Sequence, residues 1–179
     1  MNELLAVTEL YVRYSLERGL AAIVRRDQPR FVDVVHGVSL SIKRGETLAV
    51  VGESGSGKTT LAMALCGLAP MKAGEVVFDG QAVKVGKDGY LWPDRRRIAL
   101  MLQDPSGSLS PRMTVRKLLA EPFRIHPGVS DDPDRSALDL LDMVGLGADF
   151  ANRYPHQLSG GQARRVSVAR ALALKPDLL

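Results

Sequence analysis

The sequence predicts an α/β fold, and three observations point there. Thr47-Leu48-Ala49-Val50-Val51 is a short run that is apolar on both faces, as a central parallel strand covered by helices on each side requires. A glycine-rich segment from Gly52 to Gly57 follows directly, and Lys58 to Leu68 then reads as an apolar-rich helix. With 45% hydrophobic residues among 179, roughly 80 apolar side chains are present, ample for one core at this length.

The elements follow in order. From Leu5 to Leu16, Val7, Leu10, Val12 and Tyr14 mostly alternate with Thr8, Glu9, Arg13 and Ser15, which predicts a half-buried strand with a slipped register. Glu17 to Arg30 carries Arg18, Arg25, Arg26 and Arg30 with Gly19 and Pro29. It reads as an exposed basic insertion or hairpin tip, with a solvated face as the plainer alternative to membrane or partner contact. Val38 to Ile42 alternates cleanly, and Lys43-Arg44-Gly45-Glu46 turns the chain into the Thr47–Val51 strand. Gly67 and Pro70 stop the helix that begins at Lys58. Glu75 to Phe78 followed by Asp79-Gly80 predicts a strand and a turn, and Ile98 to Leu102 a second buried strand. The polar Asp104-Pro105-Ser106-Gly107-Ser108 stretch breaks that pattern. Beyond it Thr114 is placed to cap Val115 to Glu121, and Ser130 or Asp131 to cap a helix with Ala137, Leu138, Leu141 and Val144 at helical spacing. The last helix runs from Gly160 or Gly161 to Leu174, and Lys175-Pro176-Asp177 ends it.

Composition excludes more than it assigns. The 24 basic and 20 acidic residues leave +4, and a pI near 9.4 is a weak pointer to polyanions or a membrane surface. Arg95, Arg96 and Arg97 lack stacking aromatics apart from Trp92 and read as a solvated edge, so nucleic acid is not an expected partner. The single cysteine, Cys66, can neither close an internal disulfide nor alone build a zinc site, which predicts an intracellular chain. Met1 to Leu5 lacks the features of a secretory signal, and Leu61 to Pro70 is about half of what a bilayer-spanning helix needs.

Gly52-Glu53-Ser54-Gly55-Ser56-Gly57-Lys58-Thr59 matches the spacing G-x-x-x-x-G-K-[ST] between a strand and a helix. Glycines let the backbone take positive φ so that successive N–H groups converge on a polyphosphate, and the helix start adds its dipole. Lys58 is then placed to reach the β- and γ-phosphates, Thr59 to ligate magnesium, and Thr60 to add a phosphate hydrogen bond. The competing reading is a glycine-rich turn with an incidental lysine. The spacing is not the dinucleotide fingerprint, because Thr59 and Thr60 stand where a third glycine belongs.

Leu158-Ser159-Gly160-Gly161-Gln162 again joins glycine amides to a helix start, and alone it is an ordinary helix-start loop. A phosphate loop followed about a hundred residues later by this sequence, with Gln103 between them in Leu102-Gln103-Asp104-Pro105, resembles the ATP-binding subunit of ATP-binding cassette (ABC) transporters. The resemblance runs over the chain from about Leu4. The run from Gln103 to Val115 and the stretch Arg153-Tyr154-Pro155-His156-Gln157 are most similar to subunits of dipeptide, oligopeptide and nickel importers.

The resemblance implies a P-loop nucleoside triphosphatase core with an N-terminal antiparallel β subdomain and an inserted α-helical subdomain, incomplete at the C-terminus. Residues 1–102 would hold the β subdomain and phosphate-loop core, 103–160 the helical subdomain, and 161–179 the signature helix and the start of the next core strand. It implies ATP held by Gly52, Glu53, Ser54, Gly55, Ser56, Gly57, Lys58, Thr59 and Thr60, with magnesium near Thr59 and Gln103. Gln103 would also approach the attacking water. Leu158, Ser159, Gly160, Gly161 and Gln162 would act on the nucleotide of a second ATP-binding subunit, so that two subunits sandwich two ATP molecules. The implied partners are transmembrane permease subunits and, indirectly, an extracytoplasmic substrate-binding protein, and the implied location is peripheral, on the cytoplasmic face of the membrane. Phe31 is the nearest candidate to stack on adenine, although its offset departs from the family's, and an ordinary core phenylalanine is the competing reading. His156 reads as a surface histidine; Tyr154, His36 and His126 carry no assigned role.

After Leu179 a family member continues into Asp-Glu-Pro, so the magnesium-orienting aspartate, the glutamate base and a later switch histidine are absent from these residues. Asp177 matches a variable position and replaces none of them. The expectation is therefore an N-terminal part of a longer ATPase subunit that binds nucleotide without hydrolysing it, with apolar surface and unpaired backbone where the next strand belongs. The alternatives are a natural non-hydrolysing dimerisation module, or a non-transport ABC-type ATPase, which would need coiled-coil arms or duplicated domains.

Overall fold

The computed structural model describes residues 3–15, 31–91, 94 and 96–179 and divides into two compact units, Met1–Pro93 and Asp94–Leu179. The basic stretch Glu17–Arg30 lies outside the described residues.

The first unit is built on a four-stranded antiparallel sheet in the order β2-β1-β3-β4. Its strands are β1 (Glu3–Ser15), β2 (Phe31–Lys43), β3 (Met71–Phe78) and β4 (Gln81–Ala82). The slipped register of β1 is real: bulges interrupt both of its ladders, and Glu9 takes φ 48. Gly74, at φ 109, faces this bulge, where a Cβ would meet the Glu9 carbonyl oxygen at 2.5 Å. Leu5, Val7, Leu10, Val12, Val35 and Val76 are buried. Asp79 (φ 51) and Gly80 (φ 75) form the two-residue loop between β3 and β4, the left-handed pair that a hairpin of this length favours.

Helix α1 (Lys58–Leu65) stops three residues before the expected end. Gly67 turns left-handed (φ 68), its N–H reaches the Ala64 carbonyl, and the Leu68 N–H reaches that of Met63, the Schellman closure. The expected central strand differs more. Thr47–Val51 pairs with no strand among the described residues and is exposed, with Val51 at 91%. A parallel strand exists only with ladder partners and covered faces, and the antiparallel sheet supplies neither to this segment.

The second unit is helical: α2 (Pro105–Ser108), α3 (Val115–Ile125), α4 (Pro133–Met143) and α5 (Gly160–Leu172), with single 3-10 turns at Ala148–Phe150 and Pro155–Gln157. Its core joins Leu118 and Leu119 of α3, Ala137 and Leu141 of α4, and Val166 and Ala169 of α5. The stretch read as a turn-rich break contains α2, because the Asp104 carboxylate accepts the Gly107 N–H (3.1 Å) and its carbonyl the Ser108 N–H (3.2 Å). Helix α3 continues four residues past Glu121 through Pro122, and Thr114 stands at its start without a side-chain capping bond. The cap of α4 is Asp132, not Ser130 or Asp131: its Oδ1 accepts the Arg135 N–H at 3.0 Å, and Pro133 opens the helix. Helix α5 ends two residues before Leu174. Of the predicted strand Ile98–Leu102, only Ile98 is paired, by a parallel bridge to Leu178, and Met101 and Leu102 are exposed. With a partner at one end alone, the rest cannot form a ladder.

Candidate functional site

The loop from Gly52 to Gly57 leads straight into α1. Gly55 and Gly57 have φ 83 and 90, and a Cβ on Gly57 would lie 2.8 Å from the Val34 carbonyl oxygen, so β2 passes directly beneath the loop. The first helical bond runs from the Leu61 N–H to the Gly57 carbonyl at 2.8 Å, which leaves the N–H groups of Lys58, Thr59 and Thr60 without intrahelical acceptors. Gly57 has no side chain to cap them, and no acidic residue sits in the first turn. These N–H groups, the dipole and Lys58 converge at one point that suits an anion.

A cleft of about 150 Å³ lies there, lined by Val34, Gly55, Gly57, Lys58, Thr59 and Thr60. The Lys58 ammonium is held by the loop itself, donating to the carbonyls of Gly52 (2.8 Å) and Glu53 (2.6 Å) and to Ser56 Oγ (3.2 Å). An anion entering the cleft competes with two carbonyls for a cation already positioned. A second, more apolar cleft of about 580 Å³ is bounded by Val34, Val35, Leu48, Val50, Lys58 and Leu61. Among the described residues no group of three or more His, Cys, Asp or Glu could hold a metal. The Thr59 hydroxyl at this helix start instead has the chemistry of a magnesium ligand, since magnesium commonly uses one or two protein ligands together with substrate phosphates.

Gln103 lies in the second unit, exposed, two residues before α2. Ser159 caps α5 reciprocally with Gln162: the Gln162 N–H donates to Ser159 Oγ (3.3 Å) and the Ser159 N–H to Gln162 Oε1 (2.9 Å). The backbone of Gly160 and Gly161 has no positive φ, and a Cβ on either meets nothing within 4 Å. The chain's own packing therefore does not call for glycine at this exposed helix start. His156 is exposed and stacks on Tyr154, ring centroids 5.7 Å apart.

Phe31 opens β2 and is 50% exposed, not a core residue. Ladder pairs Arg13–Asp33 and Ser15–Phe31 put its ring on the charged face of the sheet, under the Arg13 guanidinium at 5.4 Å. Tyr14, opposite Val32, belongs by strand alternation to the other face with buried Val12 and Val35, and Val35 lines the cleft beside the loop. The alternation of Val12 and Tyr14 was the available signal for this aromatic. On the charged face Arg13 donates Nε and Nη2 to Asp33 (2.5 and 2.8 Å), and Lys72 lies 3.5 Å from the same carboxylate. The Arg13 hydrogen bonds, more than the nearby Lys72 charge, lower the Asp33 pKa to about 2.

The sequence model of the family described as "ABC transporter" matches residues 35–179. The glutathione import ATP-binding protein of Salmonella choleraesuis (strain SC-B67) is 44% identical over 177 residues, covering 98% of this chain and 28% of that protein. A putative peptide import ATP-binding protein of Brucella abortus (strain 2308) is 44% identical over 147 residues, covering 81% of this chain and 44% of its own. The chain thus spans less than half the length of these relatives. Among solved structures, a dimeric ATP-binding cassette in a post-hydrolysis state bound to ADP and Pi superposes with a TM-score of 0.73 at 29% identity, covering 96% of this chain and 70% of that one. A cassette from Clostridium perfringens, part of the cbiONQ transporter complex, superposes with a TM-score of 0.69 at 25% identity, covering 98% and 63%.

Proposed function

The chain belongs to the ABC transporter family, and from that membership together with the loop geometry we propose that it holds the triphosphate of ATP at Gly52–Thr60 for an importer of peptides. The observation that carries this reading is the start of α1, where three N–H groups without helical acceptors, left-handed Gly55 and Gly57, and Lys58 surround one cleft. Peptides as cargo are supported by the similarity to glutathione and peptide import ATP-binding proteins. The solved dimeric cassette supports a second ATP-binding subunit as partner. Importer membership implies permease subunits, a substrate-binding protein beyond them, and a peripheral place on the cytoplasmic face of the membrane. Among the described residues no helix is long and apolar enough to cross a membrane.

Each residue then has a task. Lys58 exchanges the Gly52 and Glu53 carbonyls for phosphate oxygens, and the N–H groups of Lys58, Thr59 and Thr60 donate to the remaining ones. Thr59 would hold magnesium, which neutralises phosphate charge when bound. Gln103 orients the attacking water. Tyr14, on the loop's side of the sheet, takes the base in place of Phe31. Gly160 and Gly161, open to approach, present the start of α5 to the nucleotide of the partner subunit. Among the described residues no carboxylate lines the phosphate cleft, which we read as a site for binding the triphosphate rather than for activating water.

Titration with a fluorescent ATP analogue and magnesium tests the reading. Saturable binding that Lys58→Ala weakens at least tenfold is the expected result; a folded protein that does not bind, or a Lys58→Ala variant that binds equally well, refutes it.

A further inference from the structure

Within the second unit, two polar links tie α5 to the helices that follow Gln103, one to α2 and one to α3. Ser108 Oγ of α2 meets Ser167 Oγ of α5 at 3.4 Å, and Arg170 Nη2 of α5 donates to Glu121 Oε2 of α3 at 2.5 Å. Ser167 and Arg170 are three residues apart, on one face of α5. Ser167 is buried. Arg170 Nε is buried without an acceptor, so the contact of Nη2 with Glu121 sets how the guanidinium lies. All four residues line one cavity of about 290 Å³. Helices α2 and α3 are the chain that immediately follows Gln103, whereas α5 begins with the Ser159–Gln162 loop.

Apolar contacts hold α5 against α3 without themselves being directional. The Arg170–Glu121 pair, with side chains 38% and 32% exposed, adds a directional contact to that packing, and setting register is the best-attested use of such polar contacts. We propose that Glu121 and Arg170 are positioning residues that fix the register of the signature helix on the segment following Gln103, so that Gln103 and the Ser159–Gln162 loop are carried as one body. The Ser108–Ser167 contact marks the same seam closer to Gln103. Arg165 differs: its Nη1 donates to the carbonyls of Val144 and Gly145 at the end of α4, outside that segment, and provides a purely structural comparison.

This inference rests on the reading of the two loops as nucleotide-binding, and Lys58→Ala, which tests that reading alone, separates the two. In the assembled transporter, Glu121→Gln is expected to leave nucleotide affinity and KM for ATP within twofold, to lower kcat at least tenfold, and to leave the melting temperature within about 2 °C. The exchange Glu121→Arg with Arg170→Glu should recover at least half of kcat. Arg165→Ala should lower the melting temperature with kcat within threefold. The proposal fails if Glu121→Gln keeps kcat within twofold, if its kcat loss parallels a loss of thermal stability that the exchange does not restore, or if Arg165→Ala lowers kcat equally. Should the Glu121 variants not fold, Ser108→Ala and Ser108→Thr decide: loss of kcat in the first and its retention in the second supports the seam, and equal kcat in both overturns it.

Discussion

Replacing Gly57 with alanine tests whether the loop's shape, rather than its composition, makes the binding site. The residue sits at φ 90, where a side chain costs about 1–2 kcal/mol. The new Cβ would also lie 2.8 Å from the Val34 carbonyl oxygen, a backbone atom fixed in β2 that cannot step aside as a flexible side chain can. Overpacking of that kind costs about 1–3 kcal/mol. Together they give about 2–5 kcal/mol against the native loop. With 1.4 kcal/mol per tenfold, nucleotide affinity should fall roughly 30- to 4,000-fold if only the native loop binds. Gly55→Ala is the internal control. Its φ of 83 carries the same strain, but a Cβ there meets nothing within 4 Å, so its loss should be roughly 5- to 30-fold. The assay is fluorescence titration with an ATP analogue and magnesium, with circular dichroism to confirm the fold. Gly57→Ala binding within threefold of the parent, or losing less than Gly55→Ala, refutes the reasoning.

Further outcomes follow from other contacts. The folded Asp33 carboxyl has a pKa of about 2 against an unperturbed 3.8, so its pairing contributes stability that is full above the unperturbed value and fades as pH falls through the folded one. Acid titration of the melting temperature should therefore show a decline between those two values that Asp33→Asn lacks. Asp132→Ala should cost about 0.5–2 kcal/mol in urea unfolding because Asp132 caps α4. Thr114→Ala, which removes no capping bond, should cost less; equal losses would contradict the assigned caps. Leu119→Ala, in the centre of the helical core, should cost about 2–5 kcal/mol by the same measurement.

Much of this was legible in the residues. The loop, its helix and the signature helix are local features set by glycine placement and capping chemistry, and they begin where the sequence puts them, although both helices end two or three residues early. Asp79-Gly80 announced its hairpin because the left-handed pair it requires is expressed in two adjacent residues. The strands at Thr47–Val51 and Ile98–Leu102 were misread because a buried parallel strand is defined by its neighbours, and an apolar run says nothing about whether they are there. Asp132 was overlooked as a cap in a run of three candidate capping residues, where the Pro133 that follows was the deciding sign. Phe31 was read as a stacking or core ring from its place along the chain, and its position on the charged face was not legible, because which side of a sheet a ring occupies depends on pairing register across a bulge.

Thr47 to Val51 has a practical consequence for work in solution. Thr47, Val50 and Val51 favour strand, the run is uncharged and without proline, all five residues are exposed, and such stretches pair readily with their own kind. Oligomers that grow with concentration, and that lysine in place of Val51 suppresses, would trace sticky behaviour of a preparation to this one ribbon of backbone.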